Sequence, residues 1–264
     1  MGKTKKKKKK KIQDPLDSTM SLGDHLEELR MRLIRALLGL GLGAVICLFL
    51  CSQIIAFIEG PYIGVMGEDA RLQILAPAEG FISYIKIALV SGLILSSPWV
   101  FYHIWMFVAA GLYPNEKRYV HLAAPFSAAL FVIGALFFIM VVAPLTLGFL
   151  VKFNERVLGV SSNFTFANYV SFVTMLMLVF GVAFQTPIAI FFLNKTGLVS
   201  VEGLRRSRKF VLLGIFIIAA MATPPDPISQ VTLAVPLYAL FELGILLSWF
   251  SSRKKESQDK QQQV

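Results

Sequence analysis

The sequence predicts an all-α fold: a polytopic membrane protein of six transmembrane helices, with both termini on the cytoplasmic side. Three observations carry that expectation. Apolar runs of about 20 residues, the length a helix needs to cross a bilayer, recur along the chain. Only 16% of the 264 residues are charged and 56% are hydrophobic, with 22 phenylalanines, whereas soluble domains carry about a quarter charged residues. The basic residues, finally, collect on alternate connections. A mean hydropathy of +0.67 agrees. That much apolar surface offsets the entropy of ordering, so disorder is excluded for the bulk of the chain. Two cysteines exclude a disulfide scaffold.

The first twenty residues stand apart. Lys3 and the unbroken run from Lys5 to Lys11 hold eight of the 26 basic residues, and residues 1–20 are expected to be a disordered polybasic tail. Beside a membrane span such a run is drawn to anionic lipid headgroups rather than to nucleic acid. It lacks the short apolar run and cleavage site of a secretory signal peptide, and the Arg- and Ser-rich composition of a transit peptide.

Ser21 and Asp24 fit a capping box. Leu22, Leu26, Leu29 and Leu33 follow at helical spacing, predicting an amphipathic helix that lies on the membrane surface before turning in. Apolar spans then cover about 33–58, 81–112, 120–151 and 168–193. The end of the chain is less regular. Residues 210–222 number only 13, reaching about 20 Å against a hydrocarbon core of roughly 30 Å. Residues 228–250 offer 23 more. Between them, Thr223-Pro224-Pro225-Asp226-Pro227 is too rich in proline to continue a helix. A re-entrant hairpin and two spans both fit, and two spans with local bilayer thinning make six. Residues 251–264 form a polar tail.

Charge decides between these counts. With six spans, 22 of the 26 basic residues fall on one side and Arg71, Lys152 and Arg156 on the other, with Lys86 inside the second span. The positive-inside rule then places both termini in the cytoplasm. Five spans would put Arg253, Lys254 and Lys255 outside. The first outer loop, 59–80, is net acidic; the triplet Asn163-Phe164-Thr165 in the second reads as chance rather than a glycosylation signal. No internal repeat is visible.

Polar groups inside spans are costly unless satisfied. Lys86, near the outer end of its span, is placed to snorkel to water. Gln185, just before Thr186-Pro187, has two readings: it satisfies the carbonyl freed by Pro187, or it lines a polar groove. Glu242 in the last span is an inter-helix hydrogen-bonding group or part of a proton path. An ion- or proton-coupled small-molecule transporter using Gln185 and Glu242 is therefore the competing functional class.

Enzymatic readings find little. His25, His103 and His121 have no metal-type partner in sequence, and Cys47 and Cys51, spaced i, i+4, read as packing residues. Neither a nucleophile elbow, a zinc-protease motif nor a phosphate-binding loop occurs. No cofactor or metal is expected.

Two cytoplasmic segments carry acid in basic surroundings. One is Asp24 to Leu33, with Glu27 and Glu28; the other is the turn 112–118, with Glu116. By themselves, Glu28 fits an i, i+4 pair with Arg32, and Glu116 an acid at a helix N-terminus.

The stretch His-Leu-Glu-Glu-Leu-Arg-Met-Arg-Leu (25–33) resembles the N-terminal signature of the TatC family, the core receptor subunit of the twin-arginine protein translocase. Ser-Pro-Trp-Val-Phe-Tyr-His-Ile-Trp-Met-Phe (97–107), Gly-Leu-Tyr-Pro-Asn-Glu-Lys-Arg (111–118) and Ala-Thr-Pro-Pro-Asp-Pro-Ile-Ser-Gln (222–230) match it in the same order. The resemblance covers about 21–250 and implies a cup-shaped six-helix bundle with its last two helices short. It implies that Glu28 and Glu116 bind the arginine pair of a signal peptide, with Arg30 and Arg118 in support. Pro61 in the first outer loop, Pro98, Phe107, Asp226 and Gln230 match further motif positions. The fourth-span polar position, often Glu in the family, is Gln185 here, where a lipid-facing amide would offer a partner helix a polar contact. Implied partners are single-span TatA- and TatB-type subunits, folded cargo with twin-arginine signals and further copies of the chain; the implied energy source is the proton-motive force. Two guanidiniums suit two carboxylates, because each can be gripped through two parallel hydrogen bonds.

Overall fold

The computed structural model describes residues 22–110, 117–222 and 227–262. The lysine tail, Ser21 of the expected capping box, Glu116 and Asp226 lie outside the described residues. Apart from an isolated bridge, the regular structure among the described residues is helical.

Helix α1 (Leu22–Phe49) is continuous. The expected surface helix and first span are one rod, because 24–38 contain neither glycine nor proline to turn the chain. The run then breaks at Leu50, and α2 (Cys51–Met66) follows with Pro61 in its interior. That corrects the expected boundary: 59–66 are helical, and Pro61 sits in a helix rather than a loop. Helix α3 (Glu79–Ala110) returns antiparallel to α1. The two backbones touch at Gly43 and Gly92: a Cβ on Gly92 would lie 2.5 Å from the Ala44 nitrogen. Only glycine permits that approach.

Helix α4 (Lys117–Phe137) passes through a π turn (Phe138–Val142) into α5 (Ala143–Phe153) and a second π turn (Asn154–Leu158). Pro144 has no N–H to return to the preceding turn, and the π turn lies just ahead of it. Helix α6 (Phe166–Ala183) is interrupted at 184–185 before α7 (Thr186–Lys195), whose second residue is Pro187. A single-turn α8 (Val201–Arg206) leads to α9 (Arg208–Ala222) and α10 (Pro227–Gln262). The helix thus runs on well past 250, through the expected polar tail.

Among the described residues, five helical stretches are long and apolar enough to cross a membrane: Leu26–Phe49, Glu79–Ala109, Val120–Leu158, Phe166–Lys195 and Pro227–Ser251. At 15 residues α9 is shorter. The chain is an all-α, multi-pass membrane protein. Its main core gathers Ile58, Phe138, Tyr169, Val173 and Phe180 from α2, the π turn and α6. Much of the remaining apolar surface faces outward: Leu38, Phe49, Met140 and Phe250 are each more than 60% exposed, as lipid-facing residues are.

At the end away from the start of α1, the two connections are fastened together. Gln73 donates to Phe164 O and accepts from Phe166 N. The Glu79 carboxylate accepts from Leu75, Ala76 and Ala167 N–H at 2.9, 3.2 and 2.8 Å. Lys86 donates to Ser171 Oγ at 2.9 Å, tying α3 to α6 instead of reaching only for water.

Candidate functional site

The candidate site lies where α1 begins and α3 ends. Antiparallel pairing sets its register: Tyr84 OH donates to Leu48 O at 2.5 Å, and Trp99 Nε1 to Arg35 O at 2.9 Å. The Trp99 ring lies over Gly39, where a Cβ would come within 2.2 Å of it. Extending that register brings the end of α3, with half-buried Phe107, level with Glu28.

Glu28 is held by Arg32, one turn on. Arg32 Nε donates to Oε1 at 2.9 Å and Nη2 donates to the same oxygen. The i, i+4 pairing read from sequence is present. The second oxygen, Oε2, is buried and has no hydrogen-bond partner among the described residues. A buried carboxylate oxygen left unmatched is unfavourable, so this acid is incompletely satisfied. Arg30 is exposed. Arg118 lies on the first turn of α4, its side chain outside the described residues, and Glu116 immediately precedes that helix.

The other motif positions lie elsewhere. Pro98 is exposed inside α3 and lines an apolar groove of about 400 Å³ with Cys47, Ile54 and Met177. Pro61 lines a second groove, between α2 and the α5 region. Gln185 Nε2 donates to Ser127 O at 3.0 Å and to Gly181 O at 3.4 Å. Neither acceptor is the Ala183 carbonyl that Pro187 leaves free, and the amide donor turns into the bundle toward α4 rather than out to lipid. Ser127 Oγ in turn accepts from Trp105 Nε1 at 2.8 Å, so α3, α4 and the α6–α7 break are linked through one serine.

Helices α9 and α10 form an antiparallel pair. Gln230 Nε2 donates to Phe216 O at 2.9 Å, and Arg208 Nη2 to Glu242 Oε2 at 2.7 Å. Tyr238 OH donates to the other Glu242 oxygen at 2.8 Å. Of the two sequence readings of Glu242, the inter-helix contact is the one present. Among the described residues no cluster of three or more His, Cys, Asp or Glu could hold a metal ion.

Sequence reasoning missed Ser127 and His103. A lone serine in an apolar run was the available signal for Ser127. His103 is buried with both ring nitrogens lacking a partner among the described residues, and its ring packs on Trp99 and Tyr102 at 4.7 and 5.4 Å between centroids. Its place inside the apolar run 81–112 was the available signal for its burial.

Residues 24–236 match the family model described as TatC, Sec-independent protein translocase protein. The Sec-independent protein translocase protein TatC of Escherichia coli K12 is 38% identical over 240 residues, covering 89% of this chain and 90% of that protein. The TatC of Desulforapulum autotrophicum is 34% identical over 238 residues, covering 90% and 87%. Among solved structures, that of the twin arginine translocase receptor TatC superposes with a TM-score of 0.77 at 34% identity, over 86% of this chain and 99% of that one.

Proposed function

This chain belongs to the TatC family of Sec-independent protein translocase proteins, and on that premise we propose that it is a twin-arginine signal-peptide receptor. The observation that carries the reading is Glu28: a carboxylate at the start of α1, held by one arginine through one oxygen, with its other oxygen unmatched. Such a group is only half matched by Arg32, so a ligand guanidinium can take that place and make the fuller pair; pairing through two bonds is geometrically selective in a way that ammonium pairing is not.

In this reading Glu28 and Glu116 each receive one arginine of the signal. They come from separate segments, so an extended peptide can span both. Arg30 and Arg118 keep the surrounding rim positive, as topology demands, and limit binding to ligands that make the paired contact. The apolar part of the signal then lies along the lipid-facing side of the bundle. Pro61, Pro98, Phe107, Asp226 and Gln230 serve the fold or partner contacts.

The proposed topology has six spans, with α9 as a short fifth and both termini in the cytoplasm of a bacterial inner membrane. Fifteen residues reach about 22 Å, which a locally thinned bilayer accommodates. The charge count favours this over five spans. Single-span TatA- and TatB-type subunits, several copies of this chain and the proton-motive force complete the translocase. The polar groups on which a transporter reading would rest, Gln185 and Glu242, are already engaged within the chain, and no observation favours that reading.

The test is photo-cross-linking from a signal peptide carrying the photoreactive group to the full chain in membranes. Glu116→Gln should abolish cross-linking while membrane insertion stays unchanged. Undiminished cross-linking contradicts the assignment.

A further inference from the structure

The Glu28 carboxylate is used from one side only. Both Arg32 nitrogens, Nε and Nη2, converge on Oε1, and Oε2 is closed to solvent and unpartnered among the described residues. The two side chains are only 22% and 17% exposed. A carboxylate and a guanidinium match best when two nitrogens meet two oxygens. Arg32, reaching back along its own helix, leaves that match half made. An incoming guanidinium therefore finds one oxygen covered by Arg32 and the other without access. It can meet both only if the Arg32 side chain moves away and the released carboxylate turns to present both oxygens.

We propose that Arg32 is an internal stand-in for the ligand's arginine, an autoinhibitory latch that covers Glu28 until a guanidinium displaces it. This rests on the reading of Glu28 as an arginine-binding acid. The exchange trades one guanidinium for another, so charge at the acid is conserved and no carboxylate is stranded in a partly buried site. The incoming group gains the second oxygen that Arg32 cannot reach. Ammonium groups, such as those of the lysine-rich stretch 3–11, cannot make that gain, because an ammonium is a point charge without a fork. In the empty receptor the latch keeps the acid from being occupied indiscriminately.

A latch and a positioning group make opposite predictions. If Arg32 orients Glu28 for the ligand, removing it weakens binding; if it competes, removing it strengthens binding. Because removing any nearby positive charge also favours a cationic peptide, a charge-conserving variant is essential. The measurement is the affinity of a fluorescent twin-arginine peptide for the full chain in detergent. Arg32→Gln should raise affinity about fivefold and Arg32→Lys about twofold, as loss of a partly buried ion pair implies. Arg35→Gln, which removes the same charge without touching Glu28, should raise it less than Arg32→Gln does. In a Glu28→Gln background, Arg32→Gln should confer no more than Arg35→Gln. Unchanged or weakened binding in both Arg32 variants overturns the latch. If Glu28→Gln alone leaves affinity unchanged, the receptor assignment of Glu28 fails and the latch with it. Weakening by Glu28→Gln without a gain from either Arg32 variant defeats the latch alone.

Discussion

The Gln185 side-chain amide donates to the carbonyl oxygen of Ser127 at 3.0 Å, bridging the break between α6 and α7 to the middle of α4. Since Ser127 also accepts from Trp105, the contact ties three helices at one level of the bundle. Gln185→Leu should cost about 1 kcal/mol, the usual net worth of such a bond. The expected readout is a fall in Tm of about 2–4 °C. Gln185→Glu, which replaces the donor with an acceptor facing a carbonyl, should cost more than Gln185→Leu.

The contact between Gly43 and Gly92 sets how closely α1 can lie on α3, and so where Glu28 stands. A Cβ on Gly92 would meet backbone atoms of Gly43 and Ala44 at 2.5–2.9 Å, and backbone cannot swing aside. Gly92→Ala should therefore destabilise by about 1–3 kcal/mol or more and lower signal-peptide affinity with it. Gly214→Ala is the control: nothing lies within 4 Å of its added methyl, and the change should be neutral or slightly stabilising. Thermal unfolding of the two purified variants checks both.

Glu79 is expected to act as the fastener of the two connections away from the start of α1. Its carboxylate accepts three backbone N–H groups from two segments. Glu79→Ala should speed hydrogen exchange at the Leu75, Ala76 and Ala167 amides and expose both connections to proteolysis, with the span-embedded amides unaffected. Uniform exchange across all helices would instead mean that Glu79 supports the whole fold.

Glu242 pairs with Arg208 and accepts from Tyr238. With the Arg208 side chain 44% exposed, the pair should contribute little, within about 0–1 kcal/mol. Glu242→Gln is thus expected to retain export of a folded twin-arginine reporter. Abolished export with intact folding would revive a proton-carrying role for this acid.

Much of the fold was legible because hydrophobic length is a strong signal: over the described residues, the runs at 81–112, 120–151, 168–193 and 228–250 coincide with α3, with α4 through α5, with α6 and α7 around their break, and with α10. What was not legible is fixed by contacts across the chain. The break at Leu50 has neither glycine nor proline at the site; next to it, Tyr84 OH takes the Leu48 carbonyl. Residues 59–66 look like a loop because of Gly60, Pro61 and Gly64, yet they stay helical where α2 packs on α5. The pairing of Gln73 with Phe164 and Phe166 spans more than 90 positions and leaves no local trace. At the site, the Glu28–Arg32 spacing predicted the ion pair. It could not predict that one oxygen would be left buried and unmatched, which depends on what packs around it.

The central claim is that Glu28 and Glu116 each bind one arginine of a signal peptide. A double-mutant cycle tests it most directly, pairing Glu28→Gln and Glu116→Gln with peptides in which each arginine in turn is replaced by glutamine. The account predicts that each acid couples to a different arginine by about 1.5 kcal/mol or more, as close charge pairs across an interface do. Strictly additive losses, with neither acid coupled to either arginine, would contradict it.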